Sequence, residues 1–176
     1  MKDEGGLRIR DARPAESGAV IEVTLAAYGQ YAAVVPEHWE GYRQNIVATL
    51  AAAKPSTLIV AEEDAGLVGS VLLYPAGGEF AVPGGQTVTL KEPEVRLLAV
   101  APAARGRGVG AALMHECIRR ARESRSSALT LHTMDMMQAA MRMYERLGFQ
   151  RAPELDIEVA PGVTIKGYRF VLEAEA

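Results

Sequence analysis

The sequence predicts a mixed α/β (α+β) sheet with helices packed on it, in the order β-α-α-β-β-β-α-β-α-β-β. Three observations lead there. Stretches of alternating apolar and polar residues exchange with longer stretches of helical period. Two β-prone runs, Thr57–Ala61 and Leu67–Tyr74, flank a turn containing Asp64 and Gly66, as in a β-hairpin. Glu94–Val100 and Ala128–Thr133 are strand-like and are joined through a helical segment, which makes them parallel neighbours in a crossover.

The elements follow in order. Leu7–Arg10 alternates and suits a short strand behind a frayed tail at Met1–Gly6. Pro14 fits the first turn of a helix running to about Tyr28, where its missing N–H costs nothing. A second helix spans Glu37–Ala53 and stops before Pro55. After the hairpin, Gly77–Glu92 reads as a long loop with a ragged strand extension. Val109–Glu123 is a helix whose apolar stripe is Val109, Leu113, Met114, Cys117, Ile118 and Ala121. Asp135 and Gln138 have capping-box spacing for a helix that reaches Leu147 and stops at Gly148. Ile157–Val159 and Thr164–Leu172, around Pro161-Gly162, close the chain as a hairpin.

Composition bounds the function. At 176 residues the chain reads as one domain, over residues 7–176. Hydrophobic residues make up 49% and charged residues 23%, an ordinary globular balance. The net charge of −3 argues against a nucleic-acid partner held by phosphate neutralisation. No apolar run is long enough for a membrane helix, and the start lacks the apolar stretch of a signal peptide, so a cytoplasmic location is the expectation. The single Cys117 excludes an internal disulfide framework, and His38, His115 and His132 show no metal-ligand spacing, so no metal is expected. Charge is uneven, however: residues 101–125 carry six Arg against two Glu, which suits a compact anionic ligand or a solvated helix face.

The most informative segment is Glu94-Val-Arg-Leu-Leu-Ala-Val100, then Ala-Pro-Ala-Ala, then Arg105-Gly-Arg-Gly-Val-Gly110, then a helix. Glycines at 106, 108 and 110 let backbone N–H groups converge on a phosphate at the positive end of that helix. Arg105 and Arg107 add charge. Gly106-Arg-Gly-Val-Gly-Ala111 also matches the dinucleotide fingerprint G-x-G-x-x-G/A, with Asp135 as the ribose ligand. That match is weak, because Ala101–Ala104 separate strand from loop and too little chain follows for a full two-half dinucleotide domain.

Arg105-x-x-Gly108-x-Gly110 after Leu98-Ala99-Val100 resembles the acetyl-CoA loop of the GCN5-related N-acetyltransferases (GNAT family). Ala140-Met-Arg-Met-Tyr144-Glu-Arg-Leu-Gly-Phe149 is similar to a second segment of the same family, and together the two cover about residues 94–150. The resemblance implies a GNAT-like acyl-CoA N-acyltransferase fold. It implies transfer of acetyl from acetyl-CoA to a primary amine of a small molecule or a peptide, by direct attack. It implies that the strand before the loop splays from its parallel neighbour and that the pantetheine arm bonds the backbone of Leu98, Ala99 and Val100. The Val100 N–H would polarise the thioester carbonyl, an oxyanion-type contribution. Arg105, Gly106, Arg107, Gly108, Val109, Gly110 and Ala111 would hold the pyrophosphate. Tyr144 would protonate the departing CoA thiolate; its plainer reading is a core tyrosine. Glu94 stands where some members place a general base; its plainer reading is a solvated strand-end acid. Many relatives carry Asn where this chain has Met137, which removes one polar cofactor contact. A homodimer is implied by analogy only.

Other residues are less informative. Met134, Met136, Met137, Met141 and Met143 read mostly as core filler. Cys117 reads as buried and inert, and His132 as a satisfied structural histidine. Tyr28, Tyr31, Pro36, His38, Trp39 and Tyr42 suit either an acceptor pocket or a helix core face, and Glu37, Glu40 or Glu79 could attract a cationic amine. An alternative of another class is a non-catalytic acyl-CoA-binding sensor that keeps the loop without turnover.

Overall fold

The computed structural model describes residues 6–54, 57–81 and 85–172. The expected tail at 1–6 falls almost wholly outside them, as does Pro55. The elements are β1 (Arg8–Asp11), α1 (Ser17–Tyr28), α2 (Trp39–Ala52), β2 (Leu58–Glu63), β3 (Gly66–Tyr74), β4 (Glu79–Ala81), β5 (Thr87–Thr89), β6 (Glu94–Val100), α3 (Val109–Glu123), β7 (Ala128–Thr133), α4 (Gln138–Leu147), β8 (Gln150–Arg151), β9 (Ile157–Ala160) and β10 (Val163–Val171). The chain divides into two compact units: Met1–Leu72 with Leu97–Glu116, and Leu73–Arg96 with Cys117–Ala176. Strand β6 and helix α3 each begin in one unit and end in the other.

In the first unit β1 pairs antiparallel with β2, and β2 with β3. Pro14–Glu16 forms a 3₁₀ turn ahead of α1, so the predicted first helix starts one turn late. Glu16 accepts the Arg13 N–H at 2.7 Å and two bonds from the Arg10 guanidinium, which also bonds Glu62. Arg10 holds the Glu16 carboxyl down to about 2. Helix α1 packs on α2, and Val20, Val23, Ile46, Leu50, Ile59 and Val71 are buried. The buried Thr24 hydroxyl donates to the Val20 carbonyl at 2.8 Å and pairs with the Ser70 hydroxyl at 3.1 Å, which fixes α1 on β3.

In the second unit the start of β6 pairs parallel with β7, in the register Glu94↔Thr130 and Val95↔Leu131, as the crossover predicts. Strand β10 pairs antiparallel with β7, with β8 and, across the Pro161-Gly162 turn, with β9. The apolar stripe of α3 is buried as its spacing dictates: Val109, Leu113 and Met114 in the first unit, Cys117, Ile118 and Ala121 in the second. Gly148 ends α4 with φ 102°.

Three local expectations are corrected. Residues 77–92 contain a separate small antiparallel sheet, β4–β5, instead of a ragged extension. The bonds Gly77 N–H to Leu90 O and Leu90 N–H to Gly78 O, both 2.8 Å, close it off. Strand β8 was not anticipated; two exposed residues carry no periodic signal. The expected capping box at α4 does not form. Met137 is the N-cap, Gln138 donates to the Asp135 backbone carbonyl at 2.6 Å, and the Asp135 carboxylate pairs with Lys166.

Candidate functional site

The segment after β6 is built to expose backbone. Ala101 N–H donates to Val68 O at 2.8 Å, and Pro102–Ala104 make one 3₁₀ turn that buries Ala104. Gly106 and Gly108 then take φ 73° and 81°, a left-handed conformation that side chains rarely adopt. Left-handed residues alternating with right-handed ones can turn successive N–H groups toward one anion. Added Cβ atoms at either glycine would meet nothing within 4 Å, so the space around them is open. Gly108 O accepts from Ala112 N–H at 2.9 Å, which makes Gly108 the first turn of α3 and leaves the early N–H groups of that helix without intrahelical partners. Val109, Leu113 and Met114 anchor the helix start in the core.

Both loop arginines are engaged with protein. Arg105 donates to Ala27 O at 2.9 Å, at the C-terminal end of α1. Arg107 donates to Glu63 at 2.6 Å. The arginines thus fasten the loop to its own unit. Gly69 was not flagged in the sequence and belongs to this construction. A Cβ there would lie 2.9 Å from Ala99 O and 3.1 Å from both Val109 and Leu113, so β3 lies against β6 and α3 only because residue 69 has no side chain. Also unforeseen is Leu97, which takes φ 49° in mid-strand. A leucine there is strained, and the kink falls between Glu94–Arg96 and the Leu98–Val100 backbone.

The aromatic group near α1 and α2 is a chain of edge contacts. Tyr28 meets Tyr31 at 5.9 Å and Tyr42 at 6.0 Å, and Trp39 meets Tyr42 at 6.1 Å. Tyr28 is buried, while Tyr31, Trp39 and Tyr42 are half-buried. Burial raises the Tyr31 hydroxyl pKa, against the pull of the Arg105 charge. Glu40, a candidate attractor for an amine, is bonded to Arg43 and Gln44.

The second unit holds Tyr144 and Glu94, the residues expected to move protons. Tyr144 is buried on α4, its ring 6.0 Å from Phe149. Glu94 is no solvated strand-end acid: its side chain is 3% exposed. One oxygen meets His132 Nδ1 at 2.9 Å and the other accepts from the Thr130 hydroxyl at 3.2 Å. His132 Nε2 lies 2.7 Å from Leu155 O. That carbonyl can only accept, so Nε2 carries a proton, and Nδ1 shares another with Glu94. Burial works against charging His132, but the hydrogen bond and charge of Glu94, with the Leu155 carbonyl, outweigh it and raise its pKa above the ordinary histidine value. Sequence reasoning took His132 and Glu94 singly; their pairing follows from the β6–β7 register, which puts Thr130 opposite Glu94. Cys117 is buried, and His38 and His115 are exposed. Met134, Met136, Met137, Met141 and Met143 are all half-buried. Among the described residues no group of three His, Cys, Asp or Glu side chains could hold a metal ion, and no helix is long and apolar enough to cross a membrane.

Residues 21–149 match the model of the acetyltransferase (GNAT) family. No curated protein matches the chain in sequence. Several solved structures share the fold. Ard1 from Thermoplasma volcanium is 19% identical with a TM-score of 0.66, over 95% of this chain and 98% of that one. A structure titled histone acetyltransferase HPA2 and related acetyltransferase, from Corynebacterium glutamicum, is 20% identical with a TM-score of 0.67, over 93% and 94%. A GNAT-family acetyltransferase from Brucella melitensis, solved in complex with acetyl-CoA, is 19% identical with a TM-score of 0.57, over 96% and 90%. With the family model spanning most of the chain and the strand–loop–helix in place, the chain belongs to the GNAT family of acetyltransferases.

Proposed function

We propose that this chain is an acetyl-CoA-dependent N-acetyltransferase that acts through residues 7–176 as one catalytic domain. The acetyl group passes to a primary amine of a small molecule or a peptide by direct attack. The observation that supports this reading is the pair of left-handed glycines, Gly106 and Gly108, at the start of α3, where backbone N–H groups can converge on a pyrophosphate. Gly106 to Ala111 would hold the pyrophosphate through backbone N–H groups, with Arg105 and Arg107 fastening the loop. Leu98, Ala99 and Val100 offer backbone groups to the pantetheine arm, and the Val100 N–H stabilises the charge that develops on the thioester oxygen. Tyr144 returns a proton to the CoA sulfur. Glu94 accepts the amine proton through water, its carboxylate held in orientation by His132 and Thr130.

The test is ligand binding followed by turnover. Acetyl-CoA and CoA should both raise the melting temperature, and NADP⁺ should not, since a ligand that binds only the folded state stabilises it. An amine panel should then release CoA thiol. Tyr144→Phe should keep acetyl-CoA binding and lower the transfer rate roughly 100-fold; wild-type turnover in that variant removes Tyr144 from the mechanism. A second reading, a non-catalytic acyl-CoA sensor, gains support from the engagement of both Glu94 oxygens. It is the conclusion if CoA binds tightly and no amine is acetylated.

A further inference from the structure

Arg96 carries an obligation that nothing in the second unit discharges. It stands two residues after Glu94 on β6, so both side chains leave the same face of the strand. Its guanidinium lies over the Phe80 ring, 3.9 Å from the centroid, and Phe80 in turn faces the His132 ring at 6.5 Å. Nη1 is buried and, among the described residues, has no hydrogen-bond partner. Among the described residues no carboxylate pairs with Arg96. The carboxylate of Glu94 is already committed to His132 and Thr130. The Arg96 charge also opposes the charging of His132. Enclosed donors without acceptors are rare, because each forfeits its hydration. An aromatic face over the guanidinium also lowers the local dielectric and strengthens any ion pair formed there.

We propose that Arg96, stacked on Phe80, docks a carboxylate of the acceptor, so that the amine substrate is an amino acid or a peptide that carries a nearby carboxylate. The planar guanidinium fork suits a carboxylate in a two-bond geometry, and one added anion balances its charge. This inference rests on the acetyltransferase reading above and names the substrate class for it.

The experiment compares amine acceptors that differ only in that group: free amino acids and dipeptides against their carboxamides. Wild-type enzyme should favour the acids on the order of tenfold or more in kcat/KM. In Arg96→Gln the preference should collapse toward unity through a rise in KM for the acids. Arg96→Lys, which keeps the charge without the fork, should retain part of it. Melting temperatures show whether each variant is folded, and Phe80→Leu provides an independent variant that should weaken the same preference. Calorimetry with an N-acetylated amino acid and its carboxamide reads the site without turnover; the acid should bind more tightly to wild type, and the difference should vanish in Arg96→Gln. Acetylation of amines with no acid preference in wild type, or an unchanged preference in Arg96→Gln, overturns the carboxylate site and leaves the acetyltransferase standing. Failure of every amine to react overturns the acetyltransferase reading, and the calorimetric pair still decides the fate of Arg96.

Discussion

The loop that follows β6 is shaped by backbone conformation, whereas the cluster at the start of the same strand is made by side chains. In the loop, Arg105 and Arg107 are spent on Ala27 O and Glu63, and the left-handed conformation is taken by Gly106 and Gly108. In the cluster, Glu94, His132, Thr130 and Arg96 owe everything to side-chain identity and strand register. The two regions should therefore fail in different ways. The loop tolerates changes of side-chain chemistry and is sensitive to backbone conformation. The cluster is sensitive to the loss of Glu94, His132 or Thr130, because these polar groups bond one another.

The largest expected effect breaks the cluster. Glu94→Gln replaces the carboxylate that faces His132 and should destabilise the protein by about 3 kcal/mol, the scale for breaking a buried pair. Denaturant titration reads this; a loss under about 1 kcal/mol would show that the pair contributes little beyond what water supplies. The same variant should shift the pH–rate profile, and an unchanged profile discards the base role. Next, Gly108→Val forces a β-branched residue into a left-handed conformation at a cost of about 2 kcal/mol. There is open space around the position, so the penalty is conformational. Calorimetry with acetyl-CoA should show affinity reduced roughly 30-fold. Full affinity in Gly108→Val would mean that the loop does not hold the ligand.

A third measurement sharpens the contrast through pH. His132 has a pKa raised above its unfolded value. Its contribution to stability is therefore fully present below about pH 6.5 and is lost as pH rises through the folded value. The stability gap between wild type and His132→Gln should be wider at about pH 6 than at about pH 9. A gap independent of pH would mean that His132 is not charged in the folded protein. The smallest effect belongs to the loop side chains. The Arg107–Glu63 pair is exposed on the arginine side, at 54%, so Arg107→Gln should change stability by less than about 1 kcal/mol. Acetyl-CoA affinity in that variant should fall only a few-fold, as backbone groups do most of the holding; a collapse in affinity would put Arg107 itself on the phosphate.

The loop was legible because its signal is local. Glycines at fixed spacing between a strand and an apolar helical stripe specify it within a dozen residues. The burial of Val109, Leu113, Met114, Cys117, Ile118 and Ala121 follows from period alone. The cluster was not legible as a unit. Glu94 and Thr130 are 36 residues apart, and only the β6–β7 pairing brings them together. Phe80 comes to Arg96 from the β4–β5 hairpin, where the sequence reads as a glycine-rich loop. The solvated reading of Glu94 failed for the same reason, since nothing beside it in sequence reveals what covers it.

The order of the main strands and helices without β4, β5 and β8, the α3 stripe, the parallel crossover and the glycine loop after β6 were determined by the sequence itself, because periodicity and glycine placement act over one or two turns of chain. The kink at Leu97, the close approach permitted by Gly69, the Glu94–His132 pair and the stacking of Arg96 on Phe80 were decided by tertiary structure. Each depends on which residues from distant segments come opposite one another, and register and packing set that choice where local propensity does not.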